Sequence, residues 1–265
     1  MTKESFCNKN CELAEAIPQL LVNQIFGESL RSEIENRYND MRNNFDLSYE
    51  EWNDNLTTEG THLRYTHICI PPQETHFSEI AECNTIGLDL PTWSNVINGN
   101  STIMFVAQDP LRDKNQYGNC NEIVISSPFG VHDAIHRNGR HGEVYYNIFS
   151  KIVEKGYGVY LTDIRKFYAE GNESKHFTKK NLERYNQILQ DEIDIVKPIL
   201  IVAFGKDAKK SLVKIDHKKE VLPLIHPSGA ARGHIKERYD LDDCSNEIIA
   251  EAYIRDILDT LSNIK

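Results

Sequence analysis

The sequence predicts an α/β fold, a three-layer α/β/α sandwich with a central, mainly parallel sheet and a helical N-terminal extension. Two observations lead to this fold class. After residue 100, short apolar runs alternate with stretches of helical periodicity, and the runs are mostly apolar rather than alternating apolar and polar. Strands of this kind are typical of a parallel sheet whose two faces are both covered by helices. The runs lie at 102–107, 122–126, 158–163, 199–203 and 220–225.

The predicted helices fall into two groups. In the second part of the chain they lie between the apolar runs, and a last helix starts at Ser245, with Glu247 behind it. In the first part, apolar residues recur at helical spacing between 17 and 30, a capping box lies at 48–51, and HFSEIAEC suggests a further short turn. We therefore divide the chain into a mainly helical N-terminal region, 1–100, and an α/β domain, 101–265. The helices of the domain are expected at 142–156, 178–196 and 206–213.

The net charge of −10 is distributed unevenly along the chain. Residues 1–100 hold 6 Lys and Arg against 16 Asp and Glu, which gives −10 for this region alone. Residues 101–265 hold 24 of each and are neutral as a whole. The acidity therefore belongs to the N-terminal region, and the second part is free to carry a basic face for a nucleic acid.

The amino-acid composition indicates where in the cell the protein is expected. Hydrophobic residues make up 40% of the chain and charged residues 26%, which is typical of a soluble globular protein. No stretch approaches the roughly 18 apolar residues that span a bilayer. Glu4, Glu12 and Glu15 stand where a signal peptide would be basic and then apolar. We expect a cytoplasmic protein with no membrane partner.

The six cysteines are scattered and form no C-x-x-C pair. This distribution favours reduced thiols over a zinc site or a disulfide framework. Cys7 and Cys11 are spaced for one helical turn, but two thiols without further ligands make a poor metal site. The sequence therefore predicts no metal.

Polar side chains stand where three of the predicted strands end. The run 102–107 leads into Gln108-Asp109-Pro110, the run 158–163 ends in Asp163, and the last run leads into His226. In parallel sheets, ligands bind at the carboxyl ends of the strands. Taken singly, Asp109 reads as a turn residue, Asp163 as a helix cap and His226 as a loop histidine. Together, they predict a site with two carboxylates and one imidazole at one rim.

Four short motifs in this order resemble the uracil-DNA glycosylase superfamily: AQDP, SPFG, YLTDIRKF and HPSGAAR. AQDP is similar to the water-activating motif of these enzymes, with Ala107 in place of the usual glycine. HPSGAAR is similar to the His-Pro-Ser motif on the loop that enters DNA. The spacing up to IVAFGKDA is most similar to the iron–sulfur branch of the superfamily. The resemblance covers roughly residues 101–260 and implies a uracil-DNA glycosylase-like sandwich that binds DNA, as a monomer.

The chain departs from that family in three respects. The iron–sulfur branch has cluster cysteines around the second motif, and RKFYAEGNESKHFTKKNLERYNQ has none. We therefore expect neither a cluster nor any other cofactor. The residue that reads the base in the family is commonly asparagine, and here it is Asp163. An aromatic residue that screens the pyrimidine C5 position in the best-known branch is replaced by Leu111.

The resemblance implies a role for each candidate residue. A base must leave the stack before its sugar can be reached. Asp109 would stabilise the sugar cation and orient water, and His226 would donate to the pyrimidine O2. Phe129 would stack on the base, although a core phenylalanine is an equal alternative, and Gln108 would also line the base pocket. Pro227, Ser228, Gly229 and Arg232 would contact DNA, with Arg232 filling the gap left by the base or contacting a phosphate.

Asp163 bears on the choice of base. An ionised carboxylate only accepts hydrogen bonds, so it suits the N4 amino group of cytosine and repels O4 of uracil, whereas a protonated carboxyl suits either base. An enzyme that recognises cytosine must be specific for cytosines with a C5 substituent, since excising ordinary cytosine would destroy the host genome. The chain is thus interpreted as a monofunctional glycosylase for a modified cytosine in phage DNA, with uracil repair as the alternative. A non-catalytic DNA-binding module and an unrelated flavodoxin-like enzyme are further alternatives.

Overall fold

A central five-stranded sheet and a smaller four-stranded sheet organise the chain. The computed structural model describes residues 1–46, 66–68, 75–77, 86–97, 100–108, 110, 123–139, 142–169 and 178–264. Within these residues the strands are β1 Thr66–Ile68, β2 Ile86–Asp89, β3 Thr92–Ser94, β4 Thr102–Ala107, β5 Ile123–Ser126, β6 Gly158–Asp163, β7 Phe167–Ala169, β8 Leu200–Phe204 and β9 Glu220–Leu224. The α-helices are α1 Leu13–Leu21, α2 Arg31–Asn43, α3 Ala134–Asn138, α4 Glu143–Glu154, α5 Lys179–Val196, α6 Lys206–Leu212, α7 Arg232–Tyr239 and α8 Asn246–Asn263.

The central sheet has the strand order β3-β6-β4-β8-β9. Neighbouring strands within this sheet are parallel, except that the edge strand β3 runs antiparallel to β6. Every residue of β4, β6 and β8 is buried, because helices cover both faces, and this is why these strands are mostly apolar. The predicted α/β class with a mainly parallel central sheet and a helical N-terminal region is confirmed.

The smaller sheet differs from the sequence prediction. Strand β5, predicted beside the other apolar runs, instead pairs parallel to β2 and antiparallel to β1, outside the central sheet. Strands β1, β2 and β3 come from the region predicted to be mainly helical. They have only three or four residues each, which is too short for a period-two pattern to stand out. Long-range pairing, rather than local propensity, therefore determines these strands.

Alternation along the strands assigns the helices to two faces of the central sheet. Phe105 of β4 contacts Phe149 of α4, with ring centroids 4.8 Å apart, and α4 packs on α8. Thr162 of β6 points to the opposite face, where it donates to Glu192 of α5 at 3.0 Å. Helix α1 packs on α5. One face is thus covered by α4 and α8, and the other by α5 and α1.

The N-terminal region shares the hydrophobic core with the residues that follow it. Buried side chains of α1, including Ile17 and Leu21, belong to the same cluster as those of β4 and α5. The 48–51 capping box and most of the 76–83 segment lie outside the described residues. The domain boundary at residue 100 stays a prediction. None of the helices in the described ranges has the length and apolar character needed to cross a membrane.

Candidate active site

Backbone hydrogen bonds join the ends of the two middle strands at the carboxyl edge of the central sheet. Asp163, the last residue of β6, is paired with Ala107, the last residue of β4. The next two N–H groups of the chain continue this contact: Ile164 donates to the Ala107 carbonyl at 3.0 Å and Arg165 to the Gln108 carbonyl at 3.1 Å. Two sequence-predicted residues, half-buried Gln108 and buried Asp163, therefore lie where these adjacent strands end, offset by one residue in register.

The side chain of Asp163 lies on the face of the sheet that α4 covers. Phe105 contacts α4, and its register partner on β6 is Leu161, which therefore points to the same face. Residues two apart on a strand also share a face, so Asp163 points to that face as well. Asp163 is 4% exposed. A carboxylate with so little exposure sits in the low-dielectric environment that makes polar recognition selective.

His226 stands two residues beyond the end of β9. The turn after β8 lies against it, because Gly205 donates its N–H to the Leu224 carbonyl at 2.9 Å. Gly205 has φ +90°, a conformation that side chains rarely adopt, and a Cβ at this position would stand 3.6 Å from the His226 Cβ. Beyond the histidine, the N–H of Ser228 donates to the His226 carbonyl at 2.8 Å. The imidazole is half-buried at the end of an ordered turn.

Phe129 has a strained backbone. Its φ of 59° and ψ of 12° are left-handed, and a bulky residue in that region is a true outlier. Such strain clusters at functional sites. The ring is half-buried, and three aromatic rings support it, with centroids 4.6 Å (Tyr145), 5.2 Å (Phe149) and 5.6 Å (Phe204) away.

Hydrogen bonds hold the loop that carries Phe129. The buried Ser127 hydroxyl lies 2.8 Å from Nδ1 of His132 and accepts the His132 backbone N–H at 3.2 Å. Gly130, with φ +60°, donates its N–H to the Ser127 carbonyl at 2.9 Å. A Cβ on Gly130 would come within 2.6 Å of the His136 ring. The loop is therefore closed by local contacts that leave no space for a larger residue at 130.

Tyr145 is a site residue that sequence reasoning missed. It lies on α4, and its hydroxyl oxygen is 3.0 Å from Nε2 and 3.3 Å from Nδ1 of His226. Burial, followed by electrostatic interaction with Tyr253 and Asp163, raises the pKa of Tyr145, so the phenol stays protonated. Tyr145 thus touches both Phe129 and His226 and lies within electrostatic reach of Asp163. The only signal in the sequence is a hydroxyl on the apolar stripe of α4, a pattern that ordinarily indicates core.

A buried ion pair lies beneath the end of β6. The Nζ of Lys166 contacts both carboxylate oxygens of Glu192, at 2.7 and 2.8 Å, and the two side chains are 1% and 0% exposed. Lys166 also donates to the Thr162 hydroxyl at 2.6 Å and to the Asp163 carbonyl at 2.8 Å. The ammonium therefore ties the strand end that carries Asp163 to helix α5.

The predicted DNA-contacting residues lie on the turn after β9 and at the start of α7. Pro227 is buried, Ser228 is half-buried and Gly229 is exposed. Arg232 is half-buried, and its guanidinium donates to the Cys244 carbonyl and to Oδ1 of Asn246. Insertion of Arg232 into DNA stays a prediction, and it requires that both of these hydrogen bonds be broken.

Asp109 and Leu111 lie outside the described residues, as does the segment 112–122. Of the residues beside them, Gln108 directly follows β4, and Pro110 is buried. Within the described ranges, no three His, Cys, Asp or Glu side chains are grouped closely enough to hold a metal ion. The expected absence of a metal stays a prediction, because Cys69, Cys83 and Cys120 are outside those ranges.

The structure thus brings three sequence-predicted residues, Phe129, Asp163 and His226, to one edge of the central sheet, around Tyr145. Comparison with known families gives one match, to the uracil-DNA glycosylase superfamily, over residues 94–250. The match runs from the last residue of β3 to the start of α8 and includes all of these residues. No curated protein matches the chain.

Proposed function

Because this chain belongs to the uracil-DNA glycosylase superfamily, we propose that it is a monofunctional DNA glycosylase that excises a non-standard pyrimidine and leaves an abasic site. The observation that carries this proposal is the convergence of Phe129, Asp163 and His226 at the carboxyl edge of the central sheet. An aromatic face, a hydrogen-bonding carboxyl and an imidazole are the groups needed to hold a pyrimidine and stabilise its departure.

The first step is extrusion of the base from the duplex, since the sugar carbon is unreachable in the stack. Phe129 offers the ring on which the extruded base stacks. The three aromatic rings around Phe129 hold its ring in place, so stacking does not require the side chain to be ordered on binding. Ser228 and Gly229, on the turn beyond His226, supply contacts to the phosphates on either side of the extruded nucleotide.

The second step is cleavage of the bond between C1′ of the sugar and N1 of the base. The bonding electrons go to the base, which becomes anionic, and the sugar becomes an oxocarbenium ion. His226 donates a hydrogen bond to O2 of the departing base, and the Asp109 carboxylate stabilises the cation. Asp109 also orients the attacking water. The water oxygen bonds to C1′, and the Asp109 carboxylate accepts the proton that the water loses. These roles use no group beyond the chain and water.

The proposed base is a cytosine with a C5 substituent. Asp163, at the end of the strand beside β4, would accept a hydrogen bond from N4 of cytosine. Leu111, directly after the motif proline, is smaller than the aromatic residue of related enzymes and would leave room at C5. Modified cytosines occur in phage DNA, so the proposed role is defence against phages.

The direct test is to incubate the protein with duplexes and single strands that carry one uracil, cytosine or C5-modified cytosine. Hot alkali then cleaves the strand wherever a base was removed. We expect strand cleavage at the modified cytosine and none at ordinary cytosine. Tight binding without cleavage of any substrate would support the non-catalytic DNA-binding alternative instead.

Asp163→Asn should shift the preference from modified cytosine toward uracil. The amide N–H can donate to O4 of uracil. Against cytosine, the same N–H faces the N4 amino group, which is also a donor, so no hydrogen bond forms between them. Mispairing a buried polar edge costs about 1–3 kcal/mol, or roughly 5- to 150-fold in rate. The measurement is a competition between the two substrates in one tube, read as the ratio of their cleavage rates.

Asp216→Asn is the matched control for this variant, because it removes one negative charge from an exposed position and should leave the ratio unchanged. Wild-type protein that excises uracil readily and ignores every modified cytosine would contradict the cytosine assignment. Uracil repair with a protonated Asp163 would then be the better account.

A further inference from the structure

The hydroxyl of Tyr145 is not explained by packing. The ring alone fills the space between Phe129 and Phe204, with centroid distances of 4.6 and 5.6 Å, and a phenylalanine would make the same contacts. Burying a hydroxyl is unfavourable unless it gains a partner. The partner is His226, whose Nε2 lies 3.0 Å away. A group that is superfluous for the core and directed at a candidate catalytic side chain points to a role in the site.

The contact restrains the imidazole. The hydroxyl oxygen lies within 3.3 Å of both ring nitrogens, so it contacts the part of the imidazole that carries its polar atoms. The Tyr145 and His226 rings are 5.7 Å apart between centroids and inclined at 64°, an edge-to-face arrangement. Rotation of the imidazole would therefore break a hydrogen bond and an aromatic contact together.

Tyr145 is itself immobile. It is 7% exposed and lies on α4, a twelve-residue helix whose apolar side packs against the central sheet. A restraint is effective only when the restraining group has a single orientation. Tyr145 meets that requirement, because it lies on a helix and its ring packs against those of Phe129, Phe149 and Phe204.

We propose that Tyr145 is a positioning residue for His226, holding the imidazole in the orientation from which it donates to the departing base. This proposal rests on the proposed function for its catalytic consequence. The hydrogen bond to the base strengthens as charge develops on O2, so its orientation affects the transition state more than the bound state. Loss of the hydroxyl should therefore lower the rate and leave DNA affinity unchanged.

Tyr145→Phe should lower the single-turnover excision rate about 3- to 10-fold, the range expected for one neutral hydrogen bond. The affinity for DNA should stay within about twofold of the wild type. Tyr146→Phe is the matched control: it removes a hydroxyl from the next residue of α4, where the partner is the Met1 carbonyl at 3.1 Å. The control should retain the wild-type rate.

A double-mutant cycle separates positioning from packing. In a His226→Ala background, Tyr145→Phe should cause no further loss of rate, since the side chain that it positions is gone. A loss of the same size in both backgrounds would overturn the proposal, as would a wild-type rate for the single variant.

A measurement that does not depend on base excision tests the positioning role of Tyr145 separately from the proposed function. In protein with ¹⁵N-labelled histidine, the ring signals of His226, assigned by their absence in His226→Ala, should move in Tyr145→Phe and stay in place in Tyr146→Phe. Unmoved signals in Tyr145→Phe would overturn the positioning role. If the wild type excised no base at all, the proposed function would fail, and these signals would still decide whether Tyr145 holds His226.

Discussion

Lys166→Met should lower the free energy of unfolding by about 3–5 kcal/mol, because it leaves the carboxylate of Glu192 buried without its counter-ion. Both side chains of the pair are almost fully buried, and the ammonium makes four polar contacts. The loss is read from the urea midpoint at constant slope. Lys179→Met is the control, since it breaks an exposed pair with Glu183 and should change stability by less than about 1 kcal/mol.

The loss should depend on pH. Burial, opposed by the charge of Lys166, raises the pKa of Glu192 above its ordinary value. A carboxyl whose pKa is higher in the folded chain stabilises the fold most below its unfolded pKa, about 4.3, and this contribution is lost as the pH rises through the folded pKa. Without Lys166 the opposing charge is gone, so the variant should be destabilised less at pH 5 than at pH 8.

A double variant, Lys166→Met with Glu192→Leu, removes both charges and should recover much of the lost stability. Two results would contradict the account of the pair. One is an equal loss at both pH values, and the other is a double variant no more stable than Lys166→Met.

Asp109→Asn should reduce base excision by at least about a hundredfold while DNA affinity stays nearly intact, because the proposed role of the carboxylate is to stabilise the transition state. His226→Ala should act in the same direction with a smaller loss. The measurement is the single-turnover rate at saturating protein, on the best substrate from the duplex assay, beside the affinity for the same DNA. Wild-type rates in both variants would exclude the proposed catalytic roles and favour the binding module.

Physical reasons decide which parts of the fold can be predicted from the sequence. Strands β4, β6 and β8 are predictable because burial on both faces leaves them mostly apolar. Helix α8 is predictable because Ser245 caps it, accepting the Ile248 N–H at 3.4 Å. The smaller sheet is not predictable, because its strands are short and pair with segments far away along the chain.

The candidate site divides in the same way. Asp163 and His226 are predictable from their places at strand ends. Tyr145 is missed because an aromatic residue on the buried stripe of a helix indicates core. Lys166 is missed because lysine is ordinarily solvated, although Glu192 stands on the apolar stripe of α5, a position where a carboxylate needs a partner. The contacts of Arg232 are side-chain hydrogen bonds from the start of α7 to the start of α8, which leave no pattern in the sequence.

The packing of α1 on α5 has a consequence during synthesis. Helix α1 ends at Leu21 and α5 begins at Lys179, so translation completes one long before the other. At about 5–20 residues per second, the apolar side of α1 spends roughly 8–30 s outside the ribosome without its partner helix. Nascent apolar surface of this kind favours aggregation. The apolar side of the N-terminal helix therefore needs protection from aggregation until α5 has been synthesised.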